Sequence, residues 1–431
     1  MHRVAPTQVL HSDRLHREAI MSSGVAAAIA AVHEHSLVKE GLAFIERDAG
    51  QTLDEQLALT AIPAPPFKEA ARAAHFRELL VKAGYAQARI DEEGNVIAMR
   101  KGTAANAPVL VLSGHIDTVF PDGTDLTITK RDGLYYAPGI RDDSRGLAAV
   151  LSVARAFAAT ALPTVADVWF VGTVGEEGLG NLRGARALFR DHPEIDGFIS
   201  VDGGDMGRVT LGATGSCRYR VTYTAPGGHS FGAFGTPSAA HAMGRAIARI
   251  ADLQTPADPK TTFNVGRVRG GTGATAIAED ASMDVDVRSN SAEELERTAS
   301  KVLAIIEASA KDENARWKSN ELCVKIEDLG KRPAGEQSQS LPIVEATVAA
   351  VQSLGIERIQ YGFSSTDCNI PISLGIPAIA IPGGGRSGGN HSLTEWFDPT
   401  LGHLGPQNAF LTVLLLAGIA GSVEPMLRKR N

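Results

Sequence analysis

The chain has 431 residues, 44% of them hydrophobic and 21% charged, with a formal net charge of -7 and a pI near 6.0. That length exceeds one ordinary core and predicts two or so domains, and the acidic balance argues against an electrostatic nucleic-acid binder. Cys217, Cys323 and Cys368 are far apart with no CxxC, which predicts buried free thiols in a reducing compartment and no disulfide framework.

Residues 1–35 read as an N-terminal extension. The Ala-rich run from Gly24 to Val32 lacks the basic start and cleavage signal of a secretory peptide and reads as the start of a helix. Apolar residues recur at helical spacing from Val38 to Ala49 and from Lys68 to Ala83, with Gly84 stopping the second helix. Between them the prolines of Ala61 to Phe67 forbid helix and mark a fixed loop. Arg89 to Arg100 has the form of a hairpin turning at Glu93, Gly94 and Asn95.

From Val109 the apolar residues run without alternation, as in a strand buried on both faces of a parallel sheet. The run stops at Gly114, and His115 and Asp117 follow, so an imidazole and a carboxylate stand at the strand's carboxyl end, the edge where open α/β sheets bind ligands. Asp167 to Gly178 repeats the design and ends in Glu176 and Glu177; Gly197 to Gly204 repeats it again with Asp202. Between the first two, Tyr136 to Gly146 is a loop leading into a helix that Asp143 or Ser144 could cap, with Asp142 just ahead of its N-terminus.

Near Gly215 the texture changes. Cys217–Ala225, Thr262–Val268, Ser282–Arg288 and Glu321–Glu327 read as strands, and Ser238–Leu253 and Ala292–Ala310 as helices. Ser291 with Glu294 forms a capping box for the second helix. This βαββαβ order is that of a ferredoxin-like split unit and predicts an inserted module. Beyond Lys331 the α/β pattern returns, with a helix over Leu341–Leu354, a buried strand over Ala378–Ile381 and a glycine loop, Gly383–Gly389, presenting His391. No helix N-terminus or Lys-Ser/Thr pair accompanies that loop, so it reads as a flexible holder rather than a phosphate site. Ala409–Ala420 is apolar but shorter than the ~20 residues a membrane span needs, and predicts a core helix with no membrane partner.

Three strands that deliver His or carboxylate to one edge exceed what packing requires. His115, Asp117, Asp142, Glu176, Glu177, Asp202 and His391 together suit zinc or a similar divalent ion. Five ligands exceed the needs of one catalytic zinc with an open position, but suit two ions clamped by a shared carboxylate.

The strings HIDTV (His115 to Val119), PGIRDD (Pro138 to Asp143), GEEG (Gly175 to Gly178), SVDG (Ser200 to Gly203) and NHSLTEW (Asn390 to Trp396) resemble the motifs of the co-catalytic dizinc metallopeptidases. That family includes aminoacylase, carboxypeptidase G, acetylornithine deacetylase, succinyl-diaminopimelate desuccinylase and tripeptide aminopeptidase. The resemblance runs from about Val38 to the C-terminus. It implies an α/β, zinc-peptidase-like catalytic domain, its mixed, largely parallel sheet flanked by helices, over residues 36–214 and 329–431. A ferredoxin-like α+β lid or dimerisation domain over residues 215–328 would divide it.

The resemblance makes His115 and Asp202 ligands of separate metals and Asp142 the bridging carboxylate, with Glu177 completing the first metal and His391 the second. Asp117 would orient His115, and Glu176 would act as general base and acid. In the insert, PGGHS at Pro226 to Ser230 makes His229 the residue that stabilises the oxyanion, of its own or of a neighbouring subunit, and DVRS at Asp286 to Ser289 makes Arg288 the grip on a substrate carboxylate. Thr275 stands where many relatives carry asparagine after a GGT triplet, which leaves the substrate class open. The expected cofactors are two divalent ions, zinc first, with cobalt or manganese as alternatives. The expected activity is hydrolysis of an amide bond in small peptides by a cytoplasmic di- or tripeptidase, with a homodimer through the insert as an option. The alternatives are an N-acyl amino acid deacylase and an inactive binding relative.

Overall fold

A computed structural model describes residues 23–430, and the reading of residues 1–22 as extension lies outside them. The chain divides into two compact units. One takes the described residues up to Leu211 together with those from Gln337 onward; the other is Gly212–Glu336.

Ser23–Glu34 is a helix whose Val25, Ile29 and Val32, spaced to share one face, are buried in the core of the first unit. This stretch therefore belongs to that unit instead of preceding it. Helices Ser36–Arg47 and Ala70–Lys82 occupy the two expected positions. Between them lies a helix absent from the sequence reading, Ala49–Thr60. Its buried face is mostly polar, with Thr52, Glu55, Gln56 and Thr60 beside Leu59, so no apolar period announces it. Tertiary partners satisfy those groups: Gln56 Nε2 donates to the Ile140 carbonyl at 2.7 Å, and Arg155 pairs with Glu55.

The central sheet of this unit has eight strands, in the order Arg89–Ile90, Val96–Arg100, Asp167–Thr173, Val109–His115, Ile195–Ser200, Ala378–Ala380, Arg208–Ala213 and Gln360–Ser364. Val109–His115 runs parallel to both its neighbours, and Ala378–Ala380 extends that parallel block. Antiparallel pairs flank it, so the sheet is mixed and largely parallel. Every residue of Val109–His115 and of Asp167–Thr173 is buried, as their unbroken apolar runs require. Helices Ser144–Thr160 and Leu404–Ala417 contribute to the same core, and nearly every residue of the latter is buried. No helix among the described residues is long and apolar enough to cross a membrane.

The second unit is a four-stranded antiparallel sheet with helices Ala239–Ala251 and Ala292–Trp317. Its strands lie in the order Thr261–Gly270, Asp280–Ser289, Gly215–Thr224, Cys323–Arg332, so the first and third in sequence are central, as in a ferredoxin-like unit. Val221, Tyr223, Met283, Val285, Val287, Val302 and Ile306 form its own core. Ser291 caps the long helix by accepting the Glu294 backbone N–H. Cys217 and Cys368 are buried free thiols, but Cys323 opens an outer strand and is exposed, which corrects the expectation for that residue.

Candidate metal centre

His115 is the last residue of the central strand and pairs in register with Thr173. Because the flanking strands run parallel to it, the loops carrying Glu176–Glu177 and Asp202 leave from the same edge. The ring of His115 is buried. Its Nδ1 lies 3.0 Å from the Asp117 carbonyl, which can only accept, so that nitrogen carries the proton and Nε2 faces Asp142 Oδ1 at 2.9 Å.

Asp142 Oδ2 lies 3.3 Å from His391 Nε2, so the two oxygens of one carboxylate address two different imidazoles. Glu177 Oε1 is 3.0 Å from the same His391 nitrogen. Candidate ligand atoms of His115, Asp142 and Asp202 lie within 4.8 Å of one another, as do those of Asp142, Glu177 and His391. A third cluster of that size joins His115 with Glu176 and Glu177. The expected cluster is therefore assembled, but its division differs. The structure groups His115 with Asp202 and Glu177 with His391, where the resemblance had His115 and Asp202 on separate ions. His391 is the common neighbour of Glu177 and Asp142 Oδ2, while His115 reaches the other oxygen.

The charges respond to this crowding. Burial would raise the Asp142 carboxyl, but the hydrogen bonds from His115 and His391 and the Arg141 guanidinium hold it well below the usual carboxylate range. Hydrogen bonds to Asp142 and Glu177 push His391 up to about 10. Burial alone would lower His115, yet its bond to Asp142 and the charges of Asp143 and Glu176 raise it well above its ordinary value. Asp202 is raised, by burial first and by the Asp142 charge second.

Asp117 does a different job from the one expected. Its carboxylate accepts the backbone N–H groups of Glu176 and Glu177 at 2.9 and 2.8 Å, and its nearer oxygen stays 3.8 Å from His115 Nδ1. The His115 ring is oriented by the Asp117 carbonyl, and the Asp117 side chain holds the Glu176–Glu177 turn. Of the two candidate caps, Asp143 takes the role, accepting the N–H of Gly146 with one oxygen and that of His115 with the other. That leaves the Asp142 side chain to the imidazoles. A Cβ on Gly146 would stand 1.9 Å from the Val201 carbonyl, so only glycine fits this junction.

Several buried polar residues around the centre escaped the sequence reading. Glu395 accepts the backbone N–H groups of Gly139, Arg141 and Asp142 and is pushed by burial to about 7. Arg145 donates to the carbonyls of Gly383 and Gly402, the two ends of the segment that carries His391. Arg72, fully buried, donates to the carbonyls of Ile62 and Ile116, tying the proline loop to the segment between His115 and Asp117. Asp367 accepts from Thr173 Oγ1 and is pushed by burial to about 6. Glu395 sits inside the quoted NHSLTEW string and Arg145 inside the Tyr136–Gly146 loop, signals that could have found them; Arg72 and Asp367 lie in stretches that gave none. His391 has a φ of 61°, a left-handed conformation that histidine adopts more readily than most side chains.

His229 and Arg288 belong to the second unit. His229 is exposed, and its Nδ1 accepts the N–H groups of Phe231 and Gly232, which leaves the ring proton on Nε2. It pairs in register with Ala276, next to Thr275. Arg288 Nε is 2.7 Å from Asp286 Oδ2.

The sequence model of peptidase family M20/M25/M40 matches residues 111–416. The chain belongs to that family. This M20/M25/M40 protein is accordingly a hydrolase of the peptidase and amidohydrolase kind. Among its relatives, the uncharacterized protein YqjE of Bacillus subtilis is 26% identical over 295 residues, 66% of this chain and 75% of that one. The succinyl-diaminopimelate desuccinylase of Corynebacterium glutamicum is 24% identical over 342 residues, 76% of this chain and 87% of the enzyme. Among solved structures, a tripeptidase from Staphylococcus aureus aligns with a TM-score of 0.72 at 22% identity, covering 85% of this chain and 97% of that one. Aminopeptidase PepT from Bacillus cereus aligns at 0.70 and 21%, covering 85% and 98%.

Proposed function

We propose that this M20/M25/M40 peptidase hydrolyses an amide bond in small peptides of di- or tripeptide size, with two divalent ions at the cluster around Asp142. The observation that carries the reading is the carboxylate of Asp142, whose oxygens face His115 and His391 separately, each with a further carboxylate beside it. The donors fit such ions: ligand atoms around one tetrahedral zinc at about 2.0–2.1 Å lie roughly 3.3 Å apart, close to the separations observed. Asp142 would bridge, His115 and Asp202 would hold one ion, and Glu177 and His391 the other. Histidine with carboxylate suits zinc, and cobalt or manganese are the alternatives.

Bound there, the ions would supply Lewis acidity, polarising a carbonyl and lowering the pKa of a water. Glu176, held through its backbone by Asp117, would serve as the general base and acid that accepts a proton and passes it to the leaving nitrogen. The family resemblance assigns His229, whose ring proton stands on Nε2, to oxyanion stabilisation and Arg288 to substrate binding. The inserted module would act as lid and dimerisation surface. The desuccinylase relatives favour one second reading, an N-acyl amino acid deacylase.

Metal-reconstituted protein assayed on Gly-containing tripeptides and on N-acetyl amino acids separates the two, since turnover of the acyl compounds alone overturns the peptidase. Glu176→Ala should retain both metals and lose turnover by about two to four orders of magnitude, and undiminished hydrolysis removes the mechanism.

A further inference from the structure

In the second unit His229 stands at the start of a segment with almost no core of its own. Gly228–His229 pairs with Ala276–Ile277, and from there to the helix Ala239–Ala251 the chain is exposed at Phe231, Gly232 and Phe234 and buried only at Pro237 and Ser238. Hydrogen bonds give the segment its shape. The N–H groups of Phe231 and Gly232 donate to His229 Nδ1 at 3.2 and 3.1 Å, and that of Ala233 to the His229 carbonyl at 2.9 Å, so a backbone turn folds around the histidine and fixes its tautomer. Burial does little to hold a turn this exposed, and it needs an anchor.

The anchor is Glu313, a fully buried carboxylate on the long helix Ala292–Trp317. Its Oε1 accepts the Ser238 N–H at 3.2 Å and the Trp317 indole N–H at 3.0 Å, and its Oε2 accepts from Arg245 Nε at 3.1 Å. The Trp317 ring held in this way meets Phe234 edge-on, with centroids 5.3 Å apart and planes at 79°, although Phe234 is 78% exposed. One carboxylate therefore ties the segment at its end, through Ser238, and at its middle, through Trp317 and Phe234. Buried ion pairs are often no more stabilising than well-packed apolar groups, so stability is a weak reason for Glu313 and a single defined geometry is a better one. We propose that Glu313 is a positioning residue for His229: it holds the turn whose N–H groups occupy Nδ1, and so keeps the ring proton on Nε2, where it can be donated to a developing oxyanion. This rests on the hydrolase reading above and on the role that the resemblance gives His229.

The test uses the full chain, zinc-loaded, with triglycine as substrate, or N-acetylglycine if only acyl compounds are turned over. Glu313→Gln keeps the size of the side chain and removes its charge; Phe234→Ala changes an exposed residue and spares the core. Each should lower kcat about tenfold, with KM within about twofold and zinc content unchanged. In a His229→Ala background each should cost less than about twofold, because the ring they position is gone, whereas plain destabilisation would act in both backgrounds. A second readout needs no turnover. At about pH 8, where an ordinary imidazole is neutral, the 15N spectrum of histidine-labelled protein, with the His229 signal assigned by its loss in His229→Ala, should show an Nε2–H ring in the parent and mixed tautomers in both variants. If Glu313→Gln does not fold, Phe234→Ala decides. Undiminished kcat, an equal loss in both backgrounds, a His229→Ala protein as active as the parent, or an unchanged tautomer in the folded variants overturns the proposal. The hydrolase reading falls separately, on a parent that turns over neither substrate while its His229 tautomer still responds to Phe234→Ala.

Discussion

At Asp142 one carboxylate serves two imidazoles, and the protonation of those rings governs the metal-free protein. His391 titrates at about 10 in the folded chain against an ordinary 6.5, because Asp142 and Glu177 hold its proton. A raised pKa contributes stability that is complete below the unfolded value and fades as pH rises through the folded one. Chelated wild-type protein should therefore exceed chelated His391→Asn in melting temperature most below about pH 6.5, with the gap closing above about pH 10. A gap that widens with pH would refute the pairing. The same proton must leave before a metal binds, so affinity should weaken as pH falls. Asp117 acts through geometry, since its two oxygens accept two consecutive backbone N–H groups. An amide supplies one acceptor, so Asp117→Asn should release one of Glu176 or Glu177. We expect kcat to drop by about 10–100-fold with both metals still bound, as measured by elemental analysis alongside kinetics.

Among the elements, the segment from Gly383 to Gly402 that carries His391 depends on two buried ionisable side chains that face opposite ways along it. Glu395 reaches out of the segment to the N–H groups of residues 139, 141 and 142, and Arg145 reaches in from the first turn of Ser144–Thr160 to the carbonyls of Gly383 and Gly402. Neither has the other for a partner, so each is balanced by backbone dipoles. Arg145→Met removes the donors and leaves carbonyls unsatisfied, at about 1–3 kcal/mol for each buried group. Denaturant melts should register that loss. A zinc titration should show one of two sites weakened, that of Glu177 and His391, with the His115 and Asp202 site tight. Two unchanged sites would mean that the glycine loop keeps His391 in place unaided.

Over the whole molecule, all the proposed ligands lie in the unit built from both ends of the chain, and the contiguous Gly212–Glu336 unit has a core of its own. Ligation stabilises only the state that binds, by an amount set by the ratio of free ligand to Kd. Calorimetry should therefore show a chelator lowering one transition, that of the split unit, by several degrees, and leaving a second in place. A single transition moving as a whole would mean that the two units unfold together.

The amino-acid sequence by itself determined the buried parallel strands, the acidic and imidazole groups at their ends, the order of the inserted module and the string of motifs, because each is written in neighbouring residues. His115, Asp142, Glu176, Glu177, Asp202 and His391 were all readable in this way. Tertiary structure alone decided which of them meet, that Asp143 caps while Asp142 bridges two rings, and that Asp117 holds a turn. It also decided that Ala49–Thr60 is a helix despite its polar buried face. Those outcomes rest on sheet order, register and hydrogen bonds between residues as far apart as Asp142 and Glu395, and no local period in a chain encodes a distance across it.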